Sequence, residues 1–180
     1  MSRIKGSSGI LAEVDIEHRL QVYSTTQDLP QTLLFKGLLS SVFFQVTPTG
    51  ADDYFFYLKN TGVVDIGFNM IHASTTVPTK ILVESVTGAP TYVAANDAEV
   101  TNLHVNNSLS PSMEAKFDTD ITGLTKTGHL TFMEPSIADT VFQDGVFGGV
   151  IVPQGQAIAF KRVEATGTIT INLSIGVLQF

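Results

Sequence analysis

Hydrophobic and polar side chains alternate most regularly near the C-terminal end of the chain. Between residues 168 and 175, a large aliphatic side chain occupies every second position and a small polar one lies between. A period of two residues is that of a β-strand, whose successive side chains point to opposite faces of a sheet. The pattern predicts a strand with one buried face and one face in solvent. The aliphatic residues are Ile169, Ile171, Leu173 and Ile175, and the polar residues are Thr168, Thr170, Asn172 and Ser174.

Similar short apolar segments, separated by turns rich in Gly, Pro, Asn and Thr, recur through most of the chain. One of them, residues 53–60, carries aromatic and aliphatic side chains on both faces and is therefore expected to be buried on both sides. The remaining predicted strands are residues 33–35, 41–46, 63–72, 80–87, 114–120, 129–133, 149–152 and 157–163.

Turn signals set the predicted limits of the central strands. Gly88, Ala89 and Pro90 indicate the end of a strand, and Gly123 and Gly128 are expected to bound a loop. Residues 96–105 are compatible with one short helix capped by Asn96 or Asp97, or with a loop followed by a strand. The second interpretation is favoured, because Asn and Ser after residue 105 interrupt any helical continuation.

Many short strands, with no segment that clearly predicts a helix, are typical of an all-β sandwich or barrel. The number of strands and the unequal loop lengths favour a jelly-roll-like β-sandwich over an up-and-down barrel. Residues 33–180 are predicted to form this body.

Residues 1–32 are predicted to form an N-terminal extended arm or hairpin with a connector. Residues 1–9 are rich in Gly and Ser and are expected to be mobile unless a partner holds them. Residues 11–23 alternate as a hairpin around a polar turn, and Pro30 excludes a central strand in the connector that follows.

The chain of 180 residues is unusually poor in charge. Charged residues make up 15%, against about 25% in ordinary domains, and the mean hydropathy is +0.23. Twelve Phe and four Tyr exclude intrinsic disorder. No apolar stretch reaches the roughly 20 residues that a membrane span requires, and the first residues do not resemble a signal peptide. A weakly charged chain of this kind is expected to bury part of its surface against other chains.

The charge balance also bears on the partner. The chain has ten basic and 17 acidic residues, which gives a net charge of −7. Nucleic acid is therefore not an expected partner, because binding it requires a clustered basic surface.

Motifs for catalysis or cofactor binding are missing from the sequence. The four histidines, His18, His72, His104 and His129, lack the spacing of a cupin metal site, and the chain contains no Cys and no Gly-x-Ser-x-Gly motif. The sequence therefore predicts no enzyme, no cofactor and no metal. The acidic pairs could belong to calcium-binding loops, but the spacing of these residues matches no such loop. Turn-forming or solvated carboxylates are therefore the favoured interpretation. These pairs are Asp52 with Asp53, Asp118 with Asp120, and Asp139 with Asp144.

Two aromatic segments have two interpretations. Residues 42–44 and 54–57 are expected to belong to the core, and the alternative is an aromatic platform for a sugar or a protein partner. The absence of Trp weakens the sugar interpretation.

Three segments resemble virion proteins of tailed bacteriophages. Residues 9–22 (GILAEVDIEHRLQV) resemble their opening strand, turn and Arg-Leu strand. Residues 100–108 (VTNLHVNNS), with Glu114 and Ala115, are similar to a mid-chain loop of these proteins. Residues 149–160 (GVIVPQGQAIAF) and 167–171 (GTITI) are similar to the closing strands of their jelly roll.

This resemblance implies a capsid decoration or cement protein, which binds the major capsid protein and forms a homotrimer. The expected location is the capsid surface of the virion, after synthesis in the host cytoplasm. The alternative is a receptor- or glycan-binding module of a head fibre or tail fibre. The N-terminal segment is expected to contact the partner through Ile10, Leu11, Val14, Ile16 and Leu20.

Overall fold

The described part of the chain consists of β-strands and contains no α-helix, which confirms the all-β prediction. The computed structural model describes residues 2–5, 11–14, 20–23, 39–103, 112–134, 142–143, 150–163 and 168–179. The chain divides into two compact units, Met1–Thr32 and Leu33–Phe180. The predicted role of the first unit as an arm stays a prediction.

The first unit contains a three-stranded antiparallel sheet. Its strands are β1 (Ser2–Lys5), β2 (Leu11–Val14) and β3 (Leu20–Tyr23), in the spatial order β1-β2-β3. The sequence predicts no strand at Ser2–Lys5, but β1 lies there. That segment pairs with β2, where Ser2 lies opposite Val14, so its backbone groups are satisfied by a neighbouring strand.

The second unit contains two antiparallel sheets. The front sheet has the order β11-β6-β14-β4-β9, with β12 also paired to β6, and the back sheet has the order β5-β13-β7-β10-β8. The front strands are β4 (Leu39–Val46), β6 (Ile66–Thr75), β9 (Glu99–Asn102), β11 (Phe142–Gln143), β12 (Ile151–Val152) and β14 (Ile171–Gln179). The back strands are β5 (Tyr54–Asn60), β7 (Lys80–Tyr92), β8 (Asn96–Asp97), β10 (Met113–Met133) and β13 (Ala157–Val163).

Successive long strands cross from one sheet to the other. β4 lies in the front sheet, β5 in the back sheet, β6 in the front sheet and β7 in the back sheet, and β13 and β14 repeat the crossing. In residues 96–102 the loop-plus-strand interpretation is confirmed, because β8 and β9 lie there. The architecture is a β-sandwich whose core lies between the two sheets.

A stack of phenyl rings joins the sheets in the centre of this core. Phe44 of β4 stacks on Phe56 of β5, with ring centroids 4.5 Å apart, and on Phe117 of β10 at 5.2 Å. Phe160 of β13 meets Phe56 edge-on at 5.3 Å. Both arrangements are favourable geometries for aromatic pairs. Phe55 to Leu58 are all buried, so the prediction that β5 is buried on both faces is confirmed.

The predicted ends of the central strands are wrong. β7 continues through Gly88, Ala89 and Pro90, and β10 runs without interruption through Gly123 and Gly128. The pairing between β7 and β10 shifts register at three places, one of them between Thr122 and Leu124. These glycines therefore lie within bulged strands, where the sequence signal was interpreted as a stop.

Gly88 and Gly123 face each other at the first of these bulges. Both have positive φ, 103° and 77°. A Cβ atom on Gly88 would lie 2.4 Å from the carbonyl oxygen of Gly123, and one on Gly123 would lie 2.5 Å from the carbonyl oxygen of Ala89. Only glycine therefore fits this crossing of two backbones.

The long strand β10 pairs with two partners in succession. Residues 113–121 pair with β5 and residues 121–133 pair with β7. Because β10 pairs with β5 as well as with β7, the first and last strands of the series β5-β13-β7-β10 are also hydrogen-bonded to each other. A second, smaller apolar cluster accompanies these four strands, consisting of Tyr57, Val86, Ile121, Ala157 and Ala159, with Tyr54, Tyr92 and Leu124 packed against it.

The neighbouring residues Phe43 and Phe44 are expected to differ strongly in their contribution to stability. Phe44→Ala removes the ring that joins the sheets and should lower the free energy of unfolding by about 3–5 kcal/mol. Phe43 is 49% exposed, and Phe43→Ala should change stability by no more than about 0.5 kcal/mol. Urea unfolding of both variants measures the difference, and similar losses from the two would contradict this account of the core.

The crossing of β7 and β10 is tested with glycine variants. Gly155 also has positive φ, but nothing lies within 4 Å of the position of its Cβ atom. Gly155→Ala should therefore cost only the backbone strain of about 1–2 kcal/mol. Gly123→Ala adds a clash with the backbone of Ala89, so it should lower the free energy of unfolding by clearly more than Gly155→Ala does. Equal losses in thermal or urea unfolding would exclude the close crossing.

Candidate functional site

Three neighbouring strands of the front sheet, β4, β14 and β6, carry outward polar side chains without formal charge in their described part, and the edge strand β9 places the exposed Glu99 opposite Phe43. Outward-facing residues of three neighbouring strands lie side by side, because the register places Phe43 next to Ser174 and Ser174 next to His72. The row beside it consists of Gln45, Asn172 and Ser74. We call this surface the amide–hydroxyl face. It consists of Ser41, Phe43, Gln45, His72, Ser74, Asn172 and Ser174, all at least partly exposed.

Hydrogen bonds run across the amide–hydroxyl face. The side-chain Nε2 of Gln45 donates to Oδ1 of Asn172 at 2.7 Å, and Nδ2 of Asn172 donates to Oγ of Ser74 at 3.2 Å. The hydroxyls of Ser41 and Ser174 lie 3.5 Å apart. These contacts between three strands hold the polar groups in fixed positions, which limits the side-chain entropy lost when a partner binds.

Phe43 lies beside a shallow recess on this face. The recess has a volume of about 170 Å³ and is lined by Phe43, His72, Ala73, Ser74, Asn172, Leu173 and Ser174. An exposed aromatic side chain amid uncharged polar groups matches the composition of protein interfaces, which are enriched in aromatic residues and depleted of charge at their centre.

The structure resolves the two interpretations of residues 42–44. Val42 and Phe44 are buried in the core, whereas Phe43 between them is exposed on the amide–hydroxyl face. The core interpretation is confirmed for the first two residues and is wrong for Phe43. The period-two pattern carries this signal, because adjacent residues of a strand point to opposite faces.

The outer side of the back sheet carries a different cluster around Glu84. The side chain of Glu84 is only 2% exposed. Its carboxylate accepts hydrogen bonds from the Tyr54 hydroxyl at 2.6 Å and from Nζ of Lys126 at 2.7 Å, and Nδ1 of His129 lies 3.8 Å away. The cluster ties β5, β7 and β10 together.

Opposing effects act on the pKa of Glu84. Burial raises it, but the hydrogen bonds from Lys126 and Tyr54 and the charges of Lys126 and Lys161 outweigh burial, and the pKa is lowered. Burial, together with the hydrogen bond to Glu84 and its negative charge, raises the pKa of Tyr54. Glu84 is therefore an anion at neutral pH, with its charge compensated by neighbours.

Sequence reasoning missed Glu84. In residues 80–87, the side of the strand that carries Glu84 also carries Leu82 and Val86, so the two-residue alternation does not show whether that side is buried. The contact with β5 and β10 is formed by residues 30 and more positions away, so no local pattern reveals that the carboxylate is buried.

Three of the five predicted partner-contact residues lie on the small sheet of the first unit. Leu11 and Val14 lie on β2, and Leu20 lies on β3 opposite Val14. β2 is paired on both edges, so among the described strands of this unit the unpaired edges belong to β1 and β3. Ile10 and Ile16 lie outside the described residues. The role of all five residues stays a prediction.

Two of the acidic candidates, Asp53 and Asp118, accept hydrogen bonds from nearby groups, and the expectation of a turn-forming or solvated carboxylate is wrong for Asp118, which lies buried in β10. Asp53 accepts hydrogen bonds from the Thr49 hydroxyl at 2.8 Å and from the Gly50 amide at 2.5 Å, as expected of a turn carboxylate. Asp118 is buried and accepts from the Ala94 amide at 2.8 Å. His18, His104, Asp139 and Asp144 lie outside the described residues.

Within the part of the chain that the structure describes, no three His, Cys, Asp or Glu side chains are grouped so as to hold a metal ion. None of the described residues forms a helix with the length and hydrophobicity needed to cross a bilayer. Comparison of the chain with protein-family models, with curated proteins and with solved structures found no match.

Two tyrosines with different environments test the Glu84 cluster. Tyr54→Phe removes the hydrogen bond to a buried carboxylate and should lower the free energy of unfolding by about 1–3 kcal/mol at pH 7. The Tyr92 hydroxyl is buried without a partner among the described residues, so Tyr92→Phe should cost nothing or stabilise the protein slightly.

The effect of Tyr54→Phe should also depend on pH. Because the pKa of Glu84 is lower in the folded protein, the stabilisation is complete above the unfolded-state pKa and disappears as the pH falls through the folded-state pKa. The difference between wild type and Tyr54→Phe should therefore shrink in acid. Denaturant unfolding at pH 7 and in acid measures it, and a constant difference would contradict an ionised Glu84.

Proposed function

We propose that this chain is a non-enzymatic structural protein of a tailed-phage virion. It decorates and stabilises the exterior of the capsid, binds the major capsid protein and associates as a homotrimer. The resemblance of residues 9–22, 100–108, 149–160 and 167–171 to such virion proteins suggests this class, and the all-β body is compatible with it.

The amide–hydroxyl face is the observation that carries the proposal. A chain with net charge −7 keeps the outward residues of β4, β14 and the described part of β6 free of Asp, Glu, Lys and Arg, and exposes Phe43 among them. This is the composition of a surface that is buried against protein. Self-association through this surface would join several copies, and joined copies convert modest individual contacts with the capsid into firm attachment.

We also propose that the sandwich is a jelly roll. The neighbours β4-β14-β6-β11 in one sheet and β5-β13-β7-β10 in the other support this topology, as do the crossings between sheets at β4, β5, β6 and β7. A jelly roll has eight strands in two sheets formed by two Greek keys.

Attachment to the shell is assigned to the first unit. Its strands β1 and β3 have an unpaired edge within that unit, and such edges bind extended segments of another chain by β-augmentation. Leu11, Val14 and Leu20 on β2 and β3 are the described residues proposed to contact the capsid.

A receptor- or glycan-binding function is the second candidate. Exposed Phe43, together with the hydroxyl and amide groups around the recess, could stack on and hydrogen-bond a neutral sugar. Binding to a glycan array by the isolated protein would favour this function, whereas a capsid-decorating protein should bind no glycan.

Deletion of residues 1–23 should reduce binding to purified empty capsids of the phage that carries the gene by at least about tenfold. The physical reason is the loss of the strands that add to the shell, and a tenfold change corresponds to about 1.4 kcal/mol. Co-sedimentation with capsids measures the binding.

Circular dichroism and urea unfolding provide the control, because the body has its own core and should remain folded. A folded deletion variant that binds as well as the full chain would overturn the assignment to the first unit. Absence of binding by the full chain itself would overturn the proposed function.

A further inference from the structure

Electrostatics restrict how two copies of this chain can meet. Each copy carries a net charge of −7, so copies repel one another, and the repulsion is strongest where acidic groups face each other closely. Asp97 and Asp52 are largely exposed, at 81% and 68% of their side chains, and both belong to the back sheet or its adjoining loop. The strands β4, β14 and β6 place no such group on the amide–hydroxyl face, and the nearest carboxylate, that of Glu99 on β9, lies on the side of Phe43 away from the recess.

The groups on the amide–hydroxyl face can pair with copies of themselves. The hydroxyls of Ser and the amides of Asn and Gln each both donate and accept hydrogen bonds. A carboxylate only accepts and an ammonium only donates, so a surface of one such type cannot satisfy an identical surface. Ser41, Ser74, Ser174, Asn172 and Gln45 are therefore suited to a contact between identical chains.

The face also carries both halves of an apolar contact. Phe43 protrudes with 49% of its surface exposed, and the recess of about 170 Å³ lies directly beside it. In a head-to-tail contact between identical chains, a protruding group of one chain enters a recess of the next, and such contacts close into a ring when the rotation between the chains is suitable. An aromatic side chain in a recess is the usual form of an energetically dominant interface contact.

We infer that the amide–hydroxyl face binds a second copy of this chain, with Phe43 of one copy packed into the recess beside His72 and Asn172 of the other. The inference deepens the proposed function, since it assigns a surface to the proposed self-association. Attachment to the capsid is left to the first unit.

The chain offers a closely matched pair of variants for the test. Phe132 of the back sheet is also 49% exposed and lies beneath Nζ of Lys80, 4.6 Å from the ring centroid. Phe43→Asp and Phe132→Asp therefore make the same change at equally exposed positions. Light scattering coupled to size-exclusion chromatography should show an oligomer for wild type and Phe132→Asp, and a monomer for Phe43→Asp.

A charge exchange at Ser174 tests the contact without removing the ring. Ser174→Glu and Ser174→Lys should each be monomeric, because each places like charges at the contact, and an equimolar mixture should associate. Added NaCl should strengthen association of the wild type by screening the net repulsion.

Several results would overturn the inference. They are a wild-type monomer throughout a concentration series, loss of the oligomer in Phe132→Asp but not in Phe43→Asp, and failure of the Ser174 mixture to associate. Circular dichroism confirms that each variant is folded. Binding of wild type to empty capsids is measured separately, so an oligomer that binds no capsid would contradict the proposed function and leave this interface in place.

Discussion

The contact of Phe44 with Phe56 and Phe117 is the interaction on which the arrangement of this body depends. It places a front-sheet side chain between rings of two back-sheet strands, and Phe160 closes the cluster from a third. Because side chains alternate along a strand, fixing Phe44 inward fixes Phe43 outward. A shift of β4 by one residue would bury Phe43 and expose Val42 and Phe44. The same packing that forms the core thus positions the exposed ring of the amide–hydroxyl face.

The two outer surfaces of the sandwich differ in how they use polar groups. On the back sheet, Glu84 is paired with Lys126, and Lys161 lies 3.3 Å from Asp52, so charges are compensated within the chain. On β4, β14 and the described part of β6 in the front sheet, the polar groups are neutral and bond to one another, and the exposed Glu99 lies on the edge strand β9. These three strands therefore form a surface area without formal charge. That distribution is the physical basis of the proposed assembly role.

Local patterns predicted the strands that alternate cleanly, and they failed where distant parts of the chain decide the outcome. β14 follows its period of two, with Ile171, Leu173 and Ile175 all buried. Local patterns indicate a strand end at Gly88 and a loop boundary at Gly123, because a single sequence does not show that the two glycines lie against each other's backbones. The same limit hid Glu84, which is buried by β5 and β10. The alternation around residues 42–44 could have identified Phe43, but the abundance of aromatic residues there favoured a core.

The central claim is that the amide–hydroxyl face lies against other copies of this chain in an assembled particle. A cryo-EM reconstruction of the purified virion measures this most directly, through the exposed fraction of Phe43 in place. The account predicts that this ring is buried between neighbouring copies on the capsid exterior. A reconstruction in which the protein is present and Phe43 faces solvent would contradict it.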